Sequence, residues 1–191
     1  MKLSISKEET LKRQKNLMNK LQENKIDCAI LFNPTDIFYI SRFFFYTSER
    51  PMCFFIDPQG KTHLFVPRLE LEHALDFSCV DEVHSYPEYP GIRHPMDYLK
   101  ELLVETGVTG KKVGYDSDGY GSPYGYRGPG VRELIHAEFV SIHGLVEEMR
   151  FIKSPSEIEL MKESARWGNL AHRLLQKYSK VGSGSVEVSS R

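Results

Sequence analysis

The segment 150–175 constrains the fold most strongly, because it joins a clear helix start to a long one-sided apolar pattern. Ser154 can cap a helix with its hydroxyl group, Pro155 suits the first helical position, and Glu157 can complete a reciprocal capping box. Apolar or small residues then recur at three- and four-residue spacing, which predicts a helix over 155–180: Ile158, Met161, Ala165, Gly168, Ala171, Leu175 and Tyr178. Such a helix is about 40 Å long, and its apolar face needs another surface to cover it.

The residues before this helix alternate between predicted strands and predicted helices. This order indicates an α/β fold with a mixed sheet of about six strands flanked by helices. Strands are expected over 28–32, 52–57, 61–67, 79–87 (an edge strand), 111–116 and 138–144. Helices are expected over 7–25, 37–41, 68–75, 96–107, 131–137 and 145–153. In the first helix, the apolar face is expected to carry Leu11, Leu17, Met18 and Leu21. We therefore predict one domain over 1–153 and a connector helix over 154–191.

Composition excludes several classes of function. The formal net charge of -1 gives no reason to expect nucleic acid or anionic membranes as partners. No apolar run is long enough for a membrane span, and the N-terminus lacks the apolar core of a signal peptide. The three cysteines, Cys28, Cys53 and Cys79, show neither zinc-like nor redox-like spacing. We expect buried thiols in a protein of the reducing cytoplasm.

Few residues form a pattern that carries chemistry. The seven histidines are scattered singly, so we expect no metal ligands and no catalytic residues in this chain. Asp57 and Asp116 both lie at predicted strand ends, which leaves a two-metal nuclease as a weak alternative. The Gly/Tyr-rich loop 118–130 lacks the ending of a phosphate-binding loop. It is better interpreted as a surface or contact loop, and its role stays open.

The segment 42–51 is the strongest candidate for a functional surface. It is short and irregular and carries several aromatic and basic residues: Arg42, Phe43, Phe44, Phe45, Tyr46 and Arg50. One interpretation is a hydrophobic loop that packs beneath the first helix. The other is a contact surface for a partner or a ligand, because aromatic residues and arginine are enriched at interface centres.

Three motifs resemble a known family. They are NPTDIFYISRF (33–43), ERPMCFFIDPQGKTHLFVPRLELEHA (49–74) and EEMRFIKSPSEIELMKESA (147–165). Together they resemble the amino-terminal domain of prolidase (Xaa-Pro dipeptidase), aminopeptidase P and creatinase, the pita-bread metallopeptidase family. The motifs span nearly the whole chain in the family's order, and the third is the most specific. One position departs from the pattern, since Arg42 stands where the family usually has glycine.

The resemblance implies a hydrolase of about twice this length, whose second domain is the catalytic one. That domain would hold two divalent metal ions (Mn, Co or Zn), so this chain alone is expected to be inactive. Its partners would be its own C-terminal catalytic domain and a second copy in a homodimer. The family's N-terminal domain limits access to the partner subunit's active site, and the candidate contact residues are Tyr39, Arg42, Phe43, Tyr46 and Arg50. Two alternatives stay open: a non-catalytic peptide- or protein-binding module, and a creatinase-type hydrolase of the same fold.

Overall fold

The computed structural model describes residues 3–46, 49–87, 93–118 and 128–190. The chain divides into two compact units, Ser6–Phe151 and Ile152–Arg191 with Met1–Ile5. Within the described residues, the first unit contains one sheet of six strands and six α-helices. The predicted fold class, a mixed six-stranded sheet flanked by helices, is confirmed.

The six strands of the sheet are β1 Cys28–Leu31, β2 Cys53–Ile56, β3 Thr62–Pro67, β4 Glu82–Tyr86, β5 Lys112–Tyr115 and β6 Glu138–Ser141. Their order in the sheet is β4-β3-β2-β1-β5-β6. Neighbouring strands β1, β2 and β3 run antiparallel, whereas β4 joins β3 in parallel and β5 and β6 extend the other side in parallel with β1. Both edge strands therefore follow parallel crossovers, and the segment 79–87 was correctly predicted as an edge.

The helices begin and end at the residues that their sequences favour. Ser6 accepts a hydrogen bond from the N–H of Glu9 at the start of the first helix, and Asn33 caps the second in the same way. Gly107, predicted as a helix stop, has a φ of +76° just beyond α4, a conformation that glycine adopts without strain. The bounds are α1 Lys7–Glu23, α2 Pro34–Ser41, α3 Leu71–Phe77, α4 Pro95–Glu105, α5 Val131–Leu134 and α6 Leu145–Phe151, with one 3-10 turn at Arg68–Glu70.

Both faces of the sheet are buried. Because successive strand residues point to opposite faces, Cys28 and Ile30 of β1 belong to one core cluster with residues of α4 and α5. Ala29 and Leu31 belong to the other cluster, which contains residues of α1, α2, α3 and α6. The central strands β1 and β2 are consequently buried at every position. The three cysteines are buried and form no disulfide, as predicted.

The buried face of α1 differs from the predicted one. Leu17 and Leu21 are buried, but Leu11 is exposed, and the polar residues Arg13 and Gln14 are buried instead. The Gln14 amide donates to the carbonyl oxygens of Ile40 and Cys79, at 3.0 Å and 2.5 Å. These hydrogen bonds offset the cost of burying a polar side chain. An apolar pattern alone could not identify this side of the helix.

The second unit contains the predicted long helix, α7 (Pro155–Tyr178), and a short helix α8 (Ser185–Ser189). The capping box forms as expected: Glu157 N–H donates to Ser154 Oγ at 3.2 Å, and Ser154 N–H donates to Glu157 Oε2 at 2.8 Å. No residue of α7 is buried. Its apolar face is largely accessible, with exposed fractions of 42% for Ile158, 57% for Met161 and 49% for Leu175. No described helix is both long enough and apolar enough to span a membrane.

Candidate functional site

The aromatic segment after α2 alternates between the interior and the surface. Phe43 and Phe45 are buried, and their rings stack at a centroid distance of 5.5 Å. Phe44 and Tyr46 face outward, with exposed fractions of 49% and 84%. Phe43 and Phe45 therefore pack into the core, whereas Phe44 and Tyr46 lie at the surface. The role of this segment as a contact surface stays a prediction.

The outward-facing rings continue onto α2. Phe38, which is 47% exposed, meets Phe44 edge-to-face at 5.6 Å, and Phe44 meets Tyr46 in the same manner at 5.2 Å. We call these three residues the aromatic ladder. Edge-to-face contacts hold the rings in a defined arrangement, so that the ladder presents an ordered apolar surface to solvent. Exposed apolar patches of this kind are typical of interaction sites.

Arg42 links α2 to this segment in an unusual backbone conformation. It has a φ of 65° and a ψ of 3°, the left-handed region, and its N–H donates to the Phe38 carbonyl oxygen at 2.9 Å. This is the helix ending that glycine normally provides. Arg42 adopts this conformation although its Cβ atom makes the left-handed region costly.

The other two predicted contact residues have partners within the same unit. The Tyr39 hydroxyl group donates to the Met149 carbonyl oxygen at 3.1 Å, and the Arg13 guanidinium lies 4.1 Å from the centre of the Tyr39 ring. Arg50 forms an ion pair with Glu49 at 2.6 Å. The assignment of Tyr39, Arg42, Phe43, Tyr46 and Arg50 as contact residues stays a prediction. Of these five, Tyr46 has the most accessible position, whereas Phe43 is fully buried.

Two of the motifs that carried the resemblance contact each other. Arg150 Nη1 of α6 lies 2.9 Å from Asp36 Oδ1 of α2, joining residues 114 positions apart. Burial raises the pKa of Asp36, and the hydrogen bond from Arg150 opposes that effect. Together with the Tyr39–Met149 hydrogen bond, this ion pair fixes the last helix of the first unit against α2.

A second polar group lies at the beginning of the parallel strands β3 and β4. His63 Nδ1 is 3.0 Å from His84 Nε2, and Glu82 Oε2 lies 3.6 Å from the first atom and 3.5 Å from the second. On its other side, His63 Nε2 is 3.1 Å from Asp57 Oδ2. Burial and the neighbouring His63 lower the pKa of His84. We call His63, Glu82 and His84 the His/Glu cluster.

The sequence interpretation treated these histidines as isolated, and it missed one local signal. Glu82 and His84 are two residues apart on a strand, so their side chains lie on one face. His63 joins them through the β3–β4 register, which pairs it with Glu82. The two histidines are 21 positions apart in sequence, and only the strand pairing brings them together.

The two carboxylates considered for a nuclease do not converge. Asp57 follows β2, whose end lies beside the beginning of β1, whereas Asp116 accepts hydrogen bonds from the N–H groups of Phe32 and Asn33 beyond the end of β1. The two aspartates therefore lie at opposite ends of the sheet, and that alternative is wrong. Most of the predicted contact loop 118–130, namely 119–127, lies outside the described residues.

Comparison with known proteins establishes the family. The model of the Creatinase/Prolidase N-terminal domain matches residues 13–152. This match covers more than half of the chain, which therefore belongs to that family, and the resemblance seen in the three motifs is confirmed. The match includes all six strands and ends within one residue of the first compact unit.

Relatives and solved structures place this domain within longer proteins. Ectoine hydrolase from Halomonas elongata is 27% identical over 172 residues, covering 86% of this chain and 43% of the relative. The structure of an Xaa-Pro dipeptidase from Bacillus anthracis matches with a TM-score of 0.69 and 22% identity, covering 95% of this chain and 47% of that one. A Creatine_N superfamily domain of a dipeptidase from Streptococcus thermophilus matches with a TM-score of 0.57 and 22% identity. That match covers 72% of this chain and 98% of the Streptococcus thermophilus domain. The chain thus spans less than half the length of the first two proteins.

Proposed function

We propose that this chain is the N-terminal accessory domain of a prolidase-like hydrolase that cleaves Xaa-Pro bonds. The observation that carries the proposal is coverage: 95% of the chain corresponds to 47% of an Xaa-Pro dipeptidase. In the whole protein, a C-terminal domain would hold two divalent metal ions, Mn, Co or Zn, and would carry out the hydrolysis. We place the protein in the cytoplasm, a location supported by its three buried thiols without disulfides.

We also propose that the first domain spans 1–153 and that 154–191 connects it to the second domain. Residues of α7 form an amphipathic helix of 24 residues without a buried position, so the helix needs a surface that covers its apolar face. We assign this role to the C-terminal catalytic domain. In this proposal, α7 connects the two domains and packs against the second domain.

The aromatic ladder supports a role in dimerisation and active-site access. Three rings with defined mutual geometry remain accessible on one surface of the first unit. Phe38 and Phe44 are already about half covered, so burying the rest of each ring in an interface would contribute about 1 kcal/mol per ring. We propose that a second copy of the protein packs here and that the covered surface borders the partner's substrate entrance.

Peptidase assays test the proposal directly. The purified 191-residue chain is expected to show no hydrolysis of Xaa-Pro dipeptides with Mn²⁺, Co²⁺ or Zn²⁺, because the proposed catalytic ligands belong to another domain. A protein extended by the coding sequence after Arg191 is expected to hydrolyse the same substrates and to lose activity with a chelator. Hydrolysis by the 191-residue chain that a chelator abolishes would contradict the proposal, as would an extended protein that lacks activity.

A second candidate is a hydrolase of ectoine. The 27% identity with ectoine hydrolase favours it, because that relative is not named as a peptidase. The extended protein discriminates between the two candidates when it is offered ectoine and Xaa-Pro dipeptides side by side. Preferential turnover of ectoine would replace the peptidase proposal.

A further inference from the structure

The His/Glu cluster brings three ligating side chains together at one end of the sheet. Each offers one atom toward the others: His63 Nδ1, Glu82 Oε2 and His84 Nε2, all within 4.8 Å of one another. Among the described residues, these three form the group of histidine, cysteine or acidic side chains whose ligand atoms lie close enough together to hold a metal ion. His63 is 1% exposed, whereas His84 and Glu82 are 27% and 41% exposed at their side chains. The buried side chain of His63 therefore fixes one side of the cluster, and the partly exposed side chains of Glu82 and His84 leave the other side accessible to solvent.

The distances agree with tetrahedral coordination. The three separations are 3.0, 3.5 and 3.6 Å. Ligand atoms about 2.05 Å from a tetrahedral zinc ion are about 3.3 Å apart. A circle through the three observed atoms has a radius of about 2.0 Å, so an ion slightly above their plane would contact all three at zinc distances. The two imidazole nitrogens face each other, because the ring centroids are 5.2 Å apart and the nitrogens 3.0 Å apart, so the rings turn toward the ion when it binds.

Asp57 supplies the outer contact that orients a histidine ligand. Its Oδ1 atom accepts hydrogen bonds from the N–H groups of Gln59 and Lys61, at 2.8 and 2.9 Å, which fixes the carboxylate in the β2–β3 turn. Its Oδ2 atom then faces His63 Nε2 at 3.1 Å. A proton on Nε2 satisfies Asp57 and leaves the lone pair of Nδ1 directed to the cluster. A histidine that binds a metal almost always donates its other ring N–H to a carboxylate, a backbone carbonyl group or water.

The surroundings favour a cation on balance. A groove of about 430 Å³ borders the cluster, and its lining includes Asp57, Glu82 and Glu105 together with the residues at the C-terminal end of α4. The end of a helix carries partial negative charge, which attracts cations. Lys61 opposes this effect, since its ammonium group lies 2.8 Å from Glu82 Oε1. That contact uses the carboxylate oxygen that does not face the histidines.

We propose that His63, Glu82 and His84 bind one divalent transition-metal ion, with Zn²⁺ as the preferred ion. Two imidazoles and one carboxylate suit zinc better than calcium or magnesium, which take oxygen ligands. The groove leaves a fourth coordination position open to water or to a small ligand. On binding, the ion replaces the hydrogen bond between the imidazoles, and the proton on His84 occupies Nδ1.

Zinc titration of the 191-residue chain tests the proposal. The protein is purified without a polyhistidine tag, stripped with a chelator and titrated with zinc chloride in a calorimeter. We expect one ion per chain. His84→Ala and Glu82→Gln remove a ligand at partly exposed positions, so that both variants should fold, and each is expected to lose stoichiometric binding. Asp57→Asn keeps an oxygen for the turn but offers N–H groups to His63, and should weaken binding about 10–100-fold.

Matched controls and a second measurement separate this site from adventitious binding. His143→Ala and Glu138→Gln replace exposed residues of the same types elsewhere on the unit and should leave affinity unchanged. Cobalt loading should give the intense visible absorption of a tetrahedral ion in the wild type, and His84→Ala should abolish it. The proposal is overturned if the wild-type chain binds no zinc at millimolar concentration. It is also overturned if the His84 and Glu82 variants bind as tightly as the wild type.

Discussion

Glycine at position 42 should make the first unit more stable than alanine at the same position. The φ of 65° places this residue in the left-handed region, where a side chain with a Cβ atom costs about 1–2 kcal/mol. Glycine avoids that cost but loses about 0.5–1 kcal/mol more backbone entropy on folding. The difference predicts that Arg42→Gly is about 0.5–1 kcal/mol more stable than Arg42→Ala.

The comparison with alanine isolates the backbone effect. Both variants lose the guanidinium group and its half-buried aliphatic stem, so their difference in unfolding free energy reports only the conformation at this position. Urea denaturation followed by circular dichroism measures it. For a chain of this size, the expected difference corresponds to about 1–4 °C in Tm.

Two further positions make the comparison sharper. Lys25 also has a positive φ, of 54°, and its glycine variant should again exceed its alanine variant in stability. Lys12 lies exposed within α1, where glycine should be less stable than alanine by about 1 kcal/mol. The reasoning is refuted if Arg42→Gly is no more stable than Arg42→Ala while the Lys12 pair behaves as expected.

Two other predictions concern the contacts between motifs and the aromatic ladder. Arg150→Ala should lower the unfolding free energy by about 2 kcal/mol near neutral pH, since it leaves buried Asp36 without its cation. The folded-state pKa of Asp36 is raised and should rise further in the variant. The loss of unfolding free energy should therefore become smaller as the pH is lowered and this carboxylate takes up its proton. A loss that does not change with pH would contradict this reasoning. Phe44→Ser with Tyr46→Ser should weaken self-association in sedimentation experiments without altering stability, whereas Val104→Ser, an exposed apolar residue on α4, should change neither. Unchanged self-association would contradict the dimer surface.

The fold could be predicted from the sequence because its signals are local. Capping residues such as Ser154, turn residues such as those at 57–60 and short apolar runs all act within a few positions. The structure places each predicted strand and helix, with ends shifted by a few residues. The buried face of α1 was predicted incorrectly where its interactions are not local. Gln14 is buried because two distant carbonyl groups accept its hydrogen bonds, and no periodic pattern encodes them.

The candidate sites depended on information that a single sequence does not contain. The aromatic segment was recognised by composition, but only the structure separates buried Phe43 from exposed Phe44. The alternation itself was readable, since successive extended residues point in opposite directions. The His/Glu cluster depends on the pairing of His63 with Glu82, and that register follows from how β3 and β4 meet across a helical crossover. Its one local signal is Glu82 followed by His84 on an edge strand, where charged side chains also serve to prevent pairing with other chains.

The strongest physical reason for expecting a second domain lies in α7 itself. Isolated helices gain little stability from intrinsic propensity and depend on burial of an apolar face. Here a well-capped helix of 24 residues has no buried residue, although Ile158, Met161 and Leu175 share one face. These side chains are already about half covered, so burying the rest of each would contribute about 1 kcal/mol. A domain joined covalently to the end of the chain gains this stabilisation without the entropy cost of bimolecular association. A free partner would have to overcome that cost, which favours the proposed attached catalytic domain over a free partner as the occupant of this surface.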